Sequence, residues 1–342
     1  MKKLIAIRCI SDHSHGYGHF SRCLAIARYF SKKNYSIVFL INENTYLKKE
    51  LSKTKFNFYI VPRYKKIISE GNFLKKFIFE NNVSCLIIDM KEFSENLSKE
   101  IQNWNCLNVI IDDSSVTNVY SDILLNGTPI KQHHNYKLYN KKSQLLLGSK
   151  YFLSNPEFSQ TKKRFSEIKI KKNYKVVVSC GGSDVNNLTW KIVKEIIKLP
   201  NLQIQVIVGP LMKKNIPTNI FKNNVKIINS PKKIWNIFNK SDLVICTSGS
   251  TLFELAIQGI PCINIATVKH QIAYGKDFSK SGFGIYVGFW KQMNFSKVSS
   301  LLEEYISDSI KRKKMSSVGK KLIDGRGLER FEKVVSSRIK KF

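Results

Sequence analysis

Short, predominantly apolar blocks recur along the chain and alternate with longer stretches whose apolar positions follow a helical spacing. Residues 4–10, 36–41, 58–61, 85–88, 109–111 and 123–125 are such blocks, and helices are predicted between them at about 20–30 and 72–81. Because these blocks are apolar at nearly every position, with Arg8 and Ser36 the exceptions, and not at every second one, they read as strands buried on both faces. That means a parallel sheet with helices on each side. A further apolar segment at 145–147 closes the series, and a polar, lysine-rich stretch at 160–173 follows. The pattern then restarts with a strand at 175–179, a turn at 180–187, a helix at 188–199, strands at 203–208 and 225–228, a helix at 234–238 and an apolar run at 243–246. From Phe295 onward the chain is helical and basic. The expectation is an α/β chain of two Rossmann-like, doubly wound domains, 1–159 and 174–342, joined by a linker at 160–173 and facing across a cleft. The last helix is able to return to the first domain.

In open parallel sheets ligands collect beyond the carboxyl ends of the strands, so the loops there carry the candidate chemistry. After the run 243–246 comes the small cluster Ser248, Gly249, Ser250, Thr251. A helical pattern with Leu252, Leu255 and Ala256 on one face then ends at Gly259, before Pro261. Small residues at a helix start leave backbone N–H groups unpaired and let an anion approach them, and the helix dipole adds positive charge there. A phosphate or diphosphate is the expected guest, with Glu254 one turn further placed to accept two hydroxyls of a ribose. The same four residues also suit a plain helix cap. A second glycine-rich turn, CGGSDVNN at 180–187, follows the strand 175–179. Gly181 and Gly182 allow close backbone approach, Ser183 and Asp184 can donate or accept, and both turns should lie on one edge of one sheet.

In the first half, the strand 4–10 runs into SDHSHGYGH at 11–19. Gly16 and Gly18 make a flexible turn that leaves His19 at a helix entrance, where the dipole disfavours a charged imidazole and so favours a proton acceptor. His19 therefore suits a general base, and equally a structural cap. A metal reading of His13, His15 and His19 lacks a carboxylate or Cys at a fitting spacing, so no metal is expected. Asp89, Asp112, Asp113 and Asn126 each end a predicted strand and are candidates to face a substrate, or to serve as caps and turn residues.

Composition changes this picture little. At 342 residues the chain suits two domains. The seven Cys lie mostly in apolar runs with no CxxC pair, which suits small buried residues in a reducing compartment such as the cytoplasm. The apolar start MKKLIAIRCI is interrupted at Arg8, so it reads as a first strand and not a signal peptide. The net charge of +32 is spread along the chain with no arginine-rich stripe, which disfavours nucleic acid and leaves weak peripheral contact with an anionic membrane open. Phe73, Leu74, Phe77, Ile78 and Phe79 beside Lys75 and Lys76 would form such a patch, unless the helix turns its apolar face inward.

Five segments in this order, GYGHFSRCLAIA at 16–27, the pair Asp112 and Asp113, SCGGSDVNNLT at 179–189, SGSTLFELAIQGIP at 248–261 and IDGRGLER at 323–330, resemble the UDP-2,4-diacetamido-2,4,6-trideoxy-beta-L-altropyranose hydrolases of pseudaminic acid biosynthesis. These are relatives of the spore-coat polysaccharide proteins and have the GT-B architecture. The resemblance spans nearly the whole chain. The SGST block is shared with GT-B glycosyltransferases, and the GxGHxxRCL start and GGSD loop narrow it. It implies metal-independent release of UDP by water, with no cofactor, by a protein expected to be a monomer. It also implies His19 as the base, Glu254 at the ribose, Gln271 at the diphosphate or sugar, and Gly16, Gly18, Arg22, Asp89, Asp113 and the two glycine-rich loops around the substrate. His270 stands where the family usually has Asn. A UDP-sugar glycosyltransferase with a glycan or lipid acceptor is the alternative, and a non-catalytic nucleotide-sugar binder a third reading that an intact His19 opposes.

Overall fold

The computed structural model describes residues 2–10, 17–63, 67–90, 95–101, 104–113, 118–139, 142–162, 172–212, 217 and 223–339. The chain divides into two compact units, residues 1–155 with 326–342, and residues 156–325. Of the expected linker, 163–171 lies outside the described residues.

In the first unit, seven strands pair in the order β3-β2-β1-β4-β5-β7-β9. These are β1 (Leu4–Cys9), β2 (Ser36–Ile41), β3 (Asn57–Ile60), β4 (Val83–Asp89), β5 (Leu107–Ile111), β7 (Ile123–Asn126) and β9 (Gln144–Leu147). Every pairing is parallel. Their Val, Ile and Leu residues are buried on both faces because helices cover each side. On one face α1 (Gly18–Lys32) buries Phe20, Cys23, Leu24, Ala27 and Phe30, all part of the core that also takes Ile5, Ile7 and Phe39. On the other, α3 (Ile67–Glu80) packs Leu74, Phe77 and Ile78 against Leu86, Ile88 and Val38. Of the apolar stretch on this helix only Phe79 is strongly exposed, and Tyr59 on the edge strand is half exposed. The helix α4 (Glu95–Ile101) and a short parallel pair, β6 (Asn118–Val119) with β8 (Lys137–Leu138), lacked a clear apolar period and were not anticipated.

The second unit repeats the plan. Its strands β10 (Tyr174–Ser179), β11 (Leu202–Val208), β12 (Val225–Asn229), β13 (Leu243–Thr247), β14 (Cys262–Ala266) and β15 (Ile285–Phe289) run in the order β12-β11-β10-β13-β14-β15, all parallel. Helices α6 (Leu188–Ile196), α8 (Ser250–Gln258), α9 (Lys269–Lys280), α10 (Ser296–Ser307) and α11 (Ser309–Leu322) accompany them. The two doubly wound sheets expected from the apolar blocks are therefore present, each reversing its strand order beside its first strand.

All seven Cys are buried. Among the described residues no helix is long and apolar enough to cross a membrane. After Gly325 the chain leaves the second unit, and α12 (Gly327–Ile339) packs Leu328, Phe331, Val335 and Ile339 into the α1 face of the first. The Phe331 ring meets Phe30 edge to face at 5.7 Å between centroids. Truncating a fully buried ring leaves a cavity as well as losing its transfer energy, so Phe331→Ala should lower stability by about 3–5 kcal/mol. Urea unfolding followed through first-unit probes checks this; a change below about 1 kcal/mol would mean that α12 is dispensable to that core.

Candidate active site

In the first unit the loops at the reversal point belong to β1 and β4. Gly18 opens α1 and is exposed, and His19, Arg22 and Cys23 follow at one, four and five positions after it, so the last three share one helical face. That face looks onto Asp89, the last residue of β4, which sits in register with Cys9 on β1. The Asp89 side chain has no solvent exposure. Its Oδ1 lies 2.7 Å from His19 Nδ1 and accepts from Arg22 Nη2 at 2.6 Å. Its Oδ2 accepts from Arg22 Nε at 2.7 Å and from the Cys23 thiol at 3.5 Å. Four donors thus fill one carboxylate. Gly16, His13 and His15 lie outside the described residues.

The charge state follows from this geometry. Burial alone would push the Asp89 carboxyl up, but Arg22 and then His19 outweigh it and hold the group far below the usual carboxylate range. An ionised carboxylate only accepts, and at 2.7 Å it is nearer to Nδ1 than Arg22 Nη2 at 3.3 Å, so a proton belongs on Nδ1 and Nε2 is the nitrogen turned away from Asp89. The imidazole is partly open, with 17% of its side chain exposed. This is the arrangement a general base needs: one nitrogen oriented by a fixed acceptor, the other able to take a proton.

Arg22 reaches one step further, with Nη1 donating to Asp113 Oδ1 at 3.0 Å and Nη2 2.8 Å from Asp113 Oδ2. The neighbouring Asp112 points elsewhere. It is buried and accepts from the Tyr136 hydroxyl at 2.8 Å, which in turn accepts from Asn126 Nδ2 at 2.6 Å. So Asp113 joins the His19 group, while Asp112 and Asn126 meet at the Tyr136 hydroxyl.

In the second unit the reversal point lies at β10 and β13. The turn after β10 needs Gly181, whose φ of +89° is a conformation side chains rarely adopt. Gly182 accepts from Leu211 N–H at 2.8 Å, and Ser183 is half-buried. Asp184 is a cap: its two oxygens accept from the Leu188 and Thr189 N–H groups at 2.9 Å each, which starts α6. After β13, Ser248 is wholly buried and its hydroxyl donates to Asn264 Oδ1 at 2.7 Å. Ser248 therefore anchors the turn and does not offer its side chain to a ligand.

Gly249 caps α8 with no side chain of its own, Ser250 is exposed and Thr251 is buried. The first N–H groups of this helix have no acceptor earlier in the helix. Gln271, on α9, has its Oε1 held by the Thr267 N–H at 2.9 Å and the Thr267 hydroxyl at 2.8 Å. Its Nε2 consequently points over the start of α8, only 3.2 Å from where a Cβ on residue 249 would stand. Thr247 closes β13 with its Oγ1 3.8 Å from that point and 4.0 Å from the matching point on Gly181, so the two turns sit side by side. Backbone donors, a side-chain amide and the positive end of a helix are thus gathered at one turn, the combination an anion cradle requires. Glu254 lies half-buried on the next turn, and His270 is exposed at the start of α9, edge-on to Tyr274 at 5.8 Å.

Sequence reasoning selected most of these residues individually but missed how they pair. The His-x-x-Arg-Cys spacing, which stacks three donors on one helical face, was the available signal for a single shared acceptor. Thr247 and Asn264 carried no signal, being one polar residue each inside apolar strands. Among the described residues no three His, Cys, Asp or Glu side chains come together as a metal-binding group.

Comparison with known proteins agrees with this architecture. Residues 175–326 match the glycosyltransferase family 28 C-terminal domain. The chain is similar to the UDP-2,4-diacetamido-2,4,6-trideoxy-beta-L-altropyranose hydrolase of Campylobacter jejuni, with 26% identity over 82% of this chain and 98% of that protein. It is equally similar, at 26% identity over 86% of its own length, to an uncharacterized protein of Methanocaldococcus jannaschii, of which it spans 60%. Among solved structures, MurG of Acinetobacter baumannii superposes with a TM-score of 0.71 at 12% identity, covering 98% of this chain and 99% of that one. The fold is GT-B, and the resemblance to the altropyranose hydrolases holds across most of the chain.

Burial raises the Glu254 carboxyl from the ordinary 4.5 to about 8. Between those values the unfolded chain has released this proton and the folded chain has kept it. The stability it supports is full below pH 4.5 and is lost as pH rises through 8. Glu254→Gln should remove this slope. The variant should exceed the parent by about 1–3 kcal/mol at pH 8.5 and match it near pH 4.5. Thermal melting at both pH values checks this, and parallel curves for the two proteins would rule out a neutral buried Glu254.

Proposed function

We propose that this chain is a UDP-sugar hydrolase, which cleaves UDP from a diacetamido-trideoxy sugar of the UDP-2,4-diacetamido-2,4,6-trideoxy-beta-L-altropyranose class in nonulosonic acid biosynthesis. The observation that carries the reading is the 2.7 Å contact of His19 Nδ1 with the buried Asp89, which leaves Nε2 as a base. The name of the Campylobacter relative supports the substrate class.

In this reading His19 Nε2 takes a proton from a water molecule as the water oxygen bonds to the anomeric carbon. The bond from that carbon to the diphosphate oxygen breaks, and its electron pair leaves with UDP. Charge developing on the diphosphate meets the N–H groups of Gly249, Ser250 and Thr251 and the Gln271 amide. These donors supply stabilisation without a cation, and Glu254 receives the ribose hydroxyls. Asp113 and His270 are assigned to the sugar. Asp89 does not leave the imidazole during turnover; it keeps the ring oriented and stabilises the imidazolium that forms. We assign the activity to the cytoplasm, to a monomer and to no cofactor.

The match to glycosyltransferase family 28 and the likeness to MurG favour one second reading, in which the hydroxyl of a glycan or lipid acceptor replaces water. The residues and their roles would be unchanged, and only the nucleophile would differ.

Purified protein given the UDP-linked diacetamido-trideoxy sugar should release UDP in the presence of chelator and without acceptor. His19→Ala should lower kcat by about 10²–10⁴-fold while UDP binds as in the parent. Coupled detection of UDP together with calorimetric UDP titration checks both; UDP release that requires an added acceptor would replace the hydrolase with the transferase.

A further inference from the structure

The H-x-x-R-C part of the first motif contributes more donors than a base and its orienting carboxylate require. Besides His19, Asp89 receives two hydrogen bonds from Arg22, one on each oxygen, and one from the Cys23 thiol. We propose that Arg22 is a positioning residue: by donating to both oxygens of Asp89, it holds that carboxylate as an oriented acceptor for His19, so that Nδ1 stays the donor and Nε2 is the nitrogen left to take a proton. This rests on the reading of His19 as the general base.

Asp89 is met by His19, Arg22 and Cys23 from α1 and lies in register with Cys9 on β1, while Arg22 also meets Asp113, in the loop after β5, and brings Nη2 to 3.3 Å from His19 Nδ1. Burial pushes the Cys23 thiol up, so it stays protonated and acts as a neutral donor. Charge is therefore shared among one guanidinium, two carboxylates and one imidazole. Asp89 is sealed from water, whereas Asp113 keeps 35% of its side chain exposed and is screened. Arg22 is shared between the two carboxylates, and His19 meets the sealed one through Nδ1. Without Arg22 the buried carboxylate would draw a proton instead. A proton on the imidazole would occupy Nε2, and a proton on Asp89 would turn an acceptor toward His19 into a donor. Either change removes the base at neutral pH.

Asp113 has a part in this. By accepting from Nη1 and lying beside Nη2, it fixes the guanidinium plane edge-on to Asp89, a geometry that a lysine ammonium cannot reproduce on two oxygens at once.

The test compares Arg22→Gln and Arg22→Lys with the parent in the full chain. In Arg22→Gln the acid limb of the kcat profile should move upward by about one pH unit, and kcat at pH 7 should fall by about 10–100-fold with UDP affinity unchanged. Arg22→Lys should return the limb toward the parent position, because it restores the charge, while kcat stays below the parent. Long-range 15N–1H spectra of the imidazole in ligand-free protein give a readout independent of turnover. The parent should show a neutral ring protonated on Nδ1 at pH 7.5, and Arg22→Gln an imidazolium or a disordered tautomer. Unmoved limbs with equal kcat losses in both variants, or identical His19 spectra, would overturn the proposal. A parent that turns over no UDP-sugar would sink the hydrolase reading instead, and the spectra would still decide the role of Arg22. Should the Gln variant fail to fold, the Lys variant decides: its spectra should match the parent's, and loss of the Nδ1–H form despite the retained charge would overturn the proposal.

Discussion

A carboxylate removed from water must take every hydrogen bond it needs from protein, and Asp89 does so. An unpaired ionised group in that position would destabilise the fold by several kcal/mol. The arrangement of the first unit around it follows from that requirement. The end of β4 must stop where α1 begins, the helix must present one side to the strand end, and β1 must be the neighbour that brings the two together. The imidazole has one nitrogen committed to the carboxylate, which turns the other away from it.

The second unit solves a different electrostatic problem with the same topology. Where the first concentrates charge, the second offers none: the start of α8 supplies only backbone dipoles, and its amide helper, Gln271, is neutral. The donors at this turn, backbone N–H groups and an amide, do not titrate, and the carboxyl beside them that does is Glu254. Thr267 sets the orientation of that amide. By accepting both of its donors on one oxygen, Gln271 is left with its nitrogen facing the cradle.

Much of the fold was legible because strands buried on both faces cannot hide in sequence. The runs 85–88 and 243–246 are apolar at every position, and α8 announces itself by small residues before it and Gly259 after it, which adopts the left-handed cap its position requires. The short pair β6 and β8 was invisible because two-residue strands have no period. Within the site, types of residue were legible and partnerships were not. Asp89 and Asp113 look alike in sequence, each following an apolar run, yet one is sealed and the other partly open. Ser248 and Ser250 are two positions apart in one motif, and only the register of β14 determines that Asn264 lies beneath the first. Such distinctions depend on which strands become neighbours, and that information is spread over the whole chain.

The connectivity of the first unit has a bearing on biosynthesis. Its core includes Leu328, Phe331, Val335 and Ile339 from α12, which emerge from the ribosome only after residues 156–325 have been made. The second unit is continuous and can close on itself during translation, whereas the first must wait with an apolar groove along α1 uncovered. Assembly of the half that carries His19 is in this way deferred until the second unit has been made.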